Sequence, residues 1–161
     1  MEYDIRSATV MDLEFIGEQL EEMCELHHDG RNEIFKPHGK KYSDQDIIEI
    51  LEREDVFIDI CENEDGMRLG YCIQFLRETE EDDCRFGRRY LFIDDLCVIA
   101  KKRSKGIGKA LMDAARQRAM KLGCSAIELN VWEFNKDAIG FYEKLGYVPQ
   151  RRILELVLDK E

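Results

Sequence analysis

Apolar residues recur along this chain with two different periods, and the switches between them outline its elements. Residues 3–8 read as a short strand. Leu13, Ile16, Leu20 and Met23 then share one helical face reaching about His27, and Thr9 with Asp12 supplies a Ser/Thr-x-x-Asp/Glu cap just ahead of it. A turn-rich stretch, HHDGRNEIFKPHGKKY, follows. Ser43 and Asp46 repeat the cap before a second helix carrying Ile47, Ile48 and Leu51. DVFIDIC and MRLGYCIQFL, joined by ENEDG, carry a hairpin signal. The charged loop RETEEDDCRFGRR leads to a third apolar strand, YLFIDDLCVI. Leu111, Met112, Ala115, Ala119 and Leu122 mark another helical face, stopped by Gly123 where a left-handed cap belongs. CSAIELNVW alternates cleanly, with Ile127, Leu129 and Val131 to one side. Asn135 caps a short helix bearing Ala138, Phe141, Tyr142 and Leu145, closed by Gly146, and YVPQRRILELVLD reads as a final strand. The order β-α-α-β-β-β-α-β-α-β predicts an α/β fold, a mixed sheet with helices on its faces.

Composition narrows the class. A chain of 161 residues with 44% apolar and 37% charged residues is expected to fold as one soluble domain spanning the whole of 1–161. No apolar run approaches the roughly 18 residues of a membrane span. The first residues, MEYDIRSATVMDLEF, lack the basic and apolar regions of a signal peptide, so the expected location is cytoplasmic, with no membrane partner. The six cysteines form no C-x-x-C pair, and Cys61, Cys72 and Cys97 lie in apolar runs where a thiol acts as a small hydrophobe. The three histidines show no metal-ligand spacing, so no metal is expected. A formal net charge of −11 argues against nucleic acid as a partner. It suits a cationic partner, and equally suits mere solubility.

Against that acidity stands one basic island, KKRSKGIGKALM, at residues 101–112. A strand, a glycine turn and a helix start make an anion site, because the first helical N–H groups lack intrahelical partners and the helix dipole is positive there. Two phosphate motifs fail by spacing. A Walker A loop would need glycine at Arg103 and Ser or Thr at Ala110, and a dinucleotide fingerprint would need glycine at Leu111.

The run Arg103-Ser104-Lys105-Gly106-Ile107-Gly108 fits R-x-x-G-x-G. After the strand IDDLCVI it resembles the acyl-coenzyme A motif of the GNAT N-acetyltransferase superfamily. The later segment ELNVWEFNKDAIGFYEKLGYV is similar to that family's next strand, its Asn-capped helix and its F-Y-x-x-x-G-Y ending at Tyr147. The two motifs together cover residues 90–148, over a third of the chain.

The resemblance implies the GNAT acyl-CoA N-acyltransferase fold, a mixed, mostly antiparallel sheet, with acetyl-CoA as co-substrate. It implies that the backbone amides of Arg103 to Lys109, including Ser104, Lys105, Gly106, Ile107 and Gly108, grip the pyrophosphate. Leu96, Cys97 and Val98 would pair with the pantetheine arm through their backbone, and Asn135 would cap its helix and also bond the cofactor. The implied reaction is direct transfer to an amine, with no covalent intermediate on the enzyme. Asp94 is the candidate base. Strand alternation puts it on the face of Leu96 and turns Asp95 to the other side; an ordinary ion pair with a nearby Lys or Arg is the alternative reading of Asp94. Val98 N–H is the candidate oxyanion donor, and Tyr142 is the candidate acid for the departing thiolate, with a core aromatic as the alternative. The acceptor would be a small amine or a peptide amine. LHHDGRNEIFKP lies where the family builds its substrate mouth, so His27, His28 and Arg31 are candidate lining residues, a surface loop being the alternative. Family members often pair, which implies a homodimer. A noncatalytic acyl-CoA-binding module and a protein N-acetyltransferase remain as rival functions.

Overall fold

The sheet grows outward from a hairpin. β2 (Val56–Glu62) and β3 (Arg68–Thr79) run antiparallel, with β1 (Asp4–Ser7) added to β2 and β4 (Arg88–Val98) to β3 in the same sense. β5 (Ala126–Leu129) closes the order β1-β2-β3-β4-β5 and is parallel to β4. This computed structural model describes residues 3–158, which divide into two compact units between Asn130 and Val131. The whole sheet belongs to the first unit.

Period-2 alternation sends Val56, Ile58 and Ile60 of β2 and Tyr71 and Ile73 of β3 to one face. There they form a core with Ile16 and Leu20 of α1 (Leu13–Gly30) and Ile47 and Ile50 of α2 (Asp44–Leu51). The opposite face meets α3 (Ile107–Lys121), whose Ile107, Leu111, Met112, Ala115 and Ala119 are buried. α3 is also fastened by polar contacts. Arg118 grips Asp59 with both Nη atoms and donates to Gln74 Oε1 at 2.7 Å, while Gln74 donates to Asp59 Oδ2 at 2.7 Å. Asp59 and Gln74 are fully buried, so each needs these partners.

The caps form as expected. Thr9 and Asp12 make a reciprocal capping box, but it opens a 3-10 turn, Val10–Asp12, before α1 begins. Ser43 and Asp46 make the same box at α2. Asp12 does more than cap. Its fully buried carboxylate takes paired 2.9 Å bonds from Arg6 and a further one from Arg68. Burial alone would raise its pKa, but these donors and the Thr9 N–H hold it well below the usual carboxylate range.

Three expectations need correction. α1 runs one turn past His27, because nothing at 28–30 breaks it until Arg31 leaves helical geometry at φ −148° and ψ 70°. The alternating stretch after Cys124 pairs as a strand only at Ala126–Leu129, so Val131 lies outside the ladder. The final strand does not form among the described residues, and Asp159, where the expected run ends, lies outside them. Residues 148–158 have no ladder partner, and Ile153, Leu154, Leu156, Val157 and Leu158 are 72–88% exposed. Alternation gives a strand its faces, but only a neighbouring strand gives it hydrogen bonds.

The second unit holds α4 (Lys136–Lys144), capped by Asn135 Oδ1, which accepts from Ala138 N–H at 3.1 Å. Gly146 follows at φ 90°, the left-handed stop its position requires.

At the centre of the sheet, β3 and β4 approach closely at Gly70. A Cβ there would stand 2.6 Å from the backbone oxygen of Cys97 and 3.3 Å from Val98 Cα. Gly70→Ala must therefore push β4 aside. Its expected cost is about 1–3 kcal/mol, read as a lower denaturation midpoint with an unchanged m-value. An unchanged midpoint would mean that β4 yields freely here.

Candidate acyl-transfer site

The site begins with a fault in the β3–β4 ladder. Ile73 faces Asp95 and Gln74 faces Ile93, so Asp94 is an extra residue, a β-bulge. The bulge cancels one step of alternation. Asp94 consequently does not share the face of Leu96 as simple alternation predicts. It turns with Asp95 toward the α1–α2 side, where its Oδ2 accepts from Tyr42 Oη at 2.7 Å and Lys41 Nζ at 2.8 Å. Asp95 accepts from the buried Tyr71 hydroxyl at 2.8 Å. Burial raises the Asp95 pKa, with Tyr71 and the Lys41 charge opposing the shift. Burial and the Asp94 bond together push the Tyr42 phenol upward, so it stays a donor.

Beyond the bulge, no strand of the first unit pairs with β4 on its β5 side. Ile99 N–H donates to Leu69 O at 3.0 Å, which makes Leu69 and Ile99 a bonded pair. Gly70/Val98 and Cys72/Leu96 are then the non-bonded pairs, whose N–H and C=O groups point away from β3. On that side β5 reaches only Tyr90–Ile93. No strand of the first unit pairs with the Val98 N–H on that side, and the Leu96 N–H meets the Asp95 carboxylate. The Val98 carbonyl is partly occupied by Arg103 Nε at 3.1 Å, and the same guanidinium meets Glu22 at 3.3 Å.

β4 runs on into the basic turn. Ser104 (φ 62°) and Gly106 (φ 85°) are both left-handed, which curls the chain sharply before α3. The first helical bond is Ala110 N–H to Gly106 O, 2.9 Å, so the amides of Ile107, Gly108 and Lys109 have no acceptor inside the helix. The Arg103 N–H donates to Ala100 O at 3.3 Å. Lys105 lends its carbonyl to the Tyr3 hydroxyl at 2.8 Å, and Lys109 pairs with Asp113.

Cys97 points into the α1–α2 core and is 2% exposed, with Sγ 3.6 Å from Gln19 Oε1. Burial, reinforced by the Asp95 charge, pushes its thiol up to about 12, which leaves no thiolate for nucleophilic work near neutrality. In the second unit, Tyr142 lies on α4, partly buried, with its ring edge-on to Phe141 and Tyr147 at 5.1 and 5.7 Å.

The expected mouth segment is ordered by its own contacts. His27 stacks on Phe35 at 4.9 Å, His28 Nδ1 lies 2.7 Å from the Phe35 carbonyl, and Arg31 pairs with Glu33. Burial, with help from Lys41, lowers the His27 pKa, keeping that imidazole neutral at pH 7. Sequence reasoning missed Lys41 and Tyr42, which lie more than fifty residues from the carboxylate they hold. No local pattern could have signalled them. Among the described residues no helix is long and apolar enough to cross a membrane, and no three His, Cys, Asp or Glu side chains gather as metal ligands would.

A β4 strand that outruns its parallel partner β5 and leads to a basic glycine turn agrees with what comparison finds. Residues 20–147 match the acetyltransferase (GNAT) family, and the chain belongs to it. The BH1408 protein from Bacillus halodurans, in a tetramutant crystal structure, superposes with a TM-score of 0.93 at 28% identity, covering 96% of this chain and 99% of that one. L-ornithine N5-acetyltransferase NATA1 of Arabidopsis thaliana is 40% identical over 60 residues, 37% of this chain and 26% of that protein. The thialysine N-epsilon-acetyltransferase of Mus musculus is 33% identical over 58 residues, 36% of this chain and 34% of that enzyme. The match thus spans about a quarter to a third of these curated relatives.

Proposed function

We propose that this protein is an acetyl-CoA-dependent N-acetyltransferase that acts directly on the primary amine of a small cationic acceptor. The observation that carries the reading is the stretch of β4 past Ile93 that no strand of the first unit pairs on the β5 side, followed by the turn amides of 107–109 that lack helical acceptors. That stretch suits the amide-bearing pantetheine arm as an added strand, and the turn suits the pyrophosphate. The side-chain amines named for the ornithine and thialysine enzymes support a small basic acceptor, as does the net charge of −11.

In this reading Asp94 receives a proton from the acceptor ammonium, directly or through water. The freed amine forms its C–N bond at the thioester carbonyl, whose oxygen takes a hydrogen bond from the Val98 N–H, and the nitrogen sheds its second proton to Asp94 or water. As the C–S bond breaks, Tyr142 protonates the thiolate, and Asn135 adds a contact to the cofactor. The protonated, buried state of Cys97 supports transfer without an acyl-enzyme.

A noncatalytic acyl-CoA-binding module is the second reading, favoured by the ion pair that already engages Asp94. A protein acetyltransferase would need the same machinery with a peptide amine as acceptor. Thiol release from acetyl-CoA across polyamines, aminoglycosides, amino acids and peptides separates the three. The enzyme reading expects release with at least one small basic amine. Tight acetyl-CoA binding with no release from any amine would replace it with the module, and release with peptides alone would move the acceptor to protein.

A further inference from the structure

The ion pair on Asp94 places an amine where the proposed reaction needs one. Lys41 Nζ lies 2.8 Å from Asp94 Oδ2 and 3.2 Å from the Asp94 backbone oxygen. Asp94 lies two residues before Leu96, on the stretch of β4 that no strand of the first unit pairs on the β5 side. Tyr42 fixes the carboxylate by its own 2.7 Å bond, so the oxygen that holds Lys41 cannot swing away freely. The Asp94 side chain is 11% exposed and that of Lys41 is 49% exposed. An ammonium at the end of a four-carbon stem can thus reach the carboxylate from solvent and leave it again.

From this juxtaposition we infer that Lys41 is an internal acceptor, a self-acylation site of the protein. The inference rests on the acyl-transfer reading above and adds a target to it. The Lys41 ammonium gives one proton to Asp94, which passes it to solvent. Nζ then forms the C–N bond to the acetyl carbonyl and gives up a second proton by way of Asp94 to solvent, the C–S bond breaks, and the thiolate takes a proton from the general acid, which solvent reprotonates. One acetyl-CoA is consumed and one coenzyme A thiol and one amide are formed, with the net release of one proton. Lys41 loses its positive charge in the process, so Asp94 loses its ion-pair partner and is left open to an external amine.

Lys40 is the built-in control. It is the adjacent lysine, its side chain is 37% exposed, and it faces Asp44 at 3.7 Å instead of Asp94. The full chain is incubated with acetyl-CoA and no added amine, and acetyl groups are located by peptide mass mapping over time. Lys41 is expected to acquire acetyl on the order of 10²-fold faster than Lys40, the low end of what a positioned base contributes. Lys41→Arg is expected to abolish the fast phase without affecting acetyl-CoA binding by calorimetry. Equal rates at the two lysines would overturn the inference and make the contact an ordinary ion pair. Thiol release from added amines while Lys41 stays unmodified would also overturn it, leaving the acyl-transfer reading intact. A chain that neither binds acetyl-CoA nor releases thiol would remove both.

Discussion

Tyr142→Phe is expected to lower kcat for acyl transfer by about 10²–10⁴, the usual loss when a positioned general acid is removed. The change deletes one oxygen and keeps the ring, so the edge-on contacts with Phe141 and Tyr147 survive. Acetyl-CoA affinity should hold nearly constant, because the phosphate contacts are assigned to backbone amides of the 107–109 turn. The loss should therefore fall on kcat and leave cofactor binding alone. Full activity would return Tyr142 to a packing role and leave solvent to protonate the thiolate. A large fall in melting temperature would instead reveal a structural hydrogen bond, and the rate could not then be read as chemistry.

What sequence alone could reveal here divides along the range of the interactions. Thr9 with Asp12, Ser43 with Asp46 and Asn135 all announce helix starts, because each cap closes within three or four residues. The turn from Arg103 to Gly108 is legible for the same reason: its two glycines and its basic residues are local. The bulge is not. Asp94 reads as one more alternating position until β3 sets the register, and only the shift between Ile73 and Gln74 turns its carboxylate toward Tyr42. The Arg118–Asp59–Gln74 and Arg6–Asp12–Arg68 clusters are hidden likewise, since each joins residues dozens of positions apart. The missing final strand errs in the other direction: the 151–158 run has the right alternation but no partner.

Gly108→Asp is the second large effect, and it bears on the cofactor. Gly108 is the second residue of α3, within the amides that precede the first helical bond. An acid near a helix start is in itself tolerated, so the protein should stay folded. The same carboxylate is expected to repel a pyrophosphate held by the 107–109 amides, in a turn where Ile107 is already buried and the charges are poorly screened. The added Cβ also obstructs the backbone's approach to the ligand. Loss of binding by at least about two orders of magnitude is expected, or roughly 2.7 kcal/mol.

Calorimetric titration of acetyl-CoA into the wild-type chain and into Gly108→Asp tests the central claim most directly, because it needs no knowledge of the acceptor. Binding to the wild type that vanishes in the folded variant is the predicted result. Equal affinity in the two proteins, or no binding to the wild type, would make the 101–109 turn an ordinary helix start and contradict the claim.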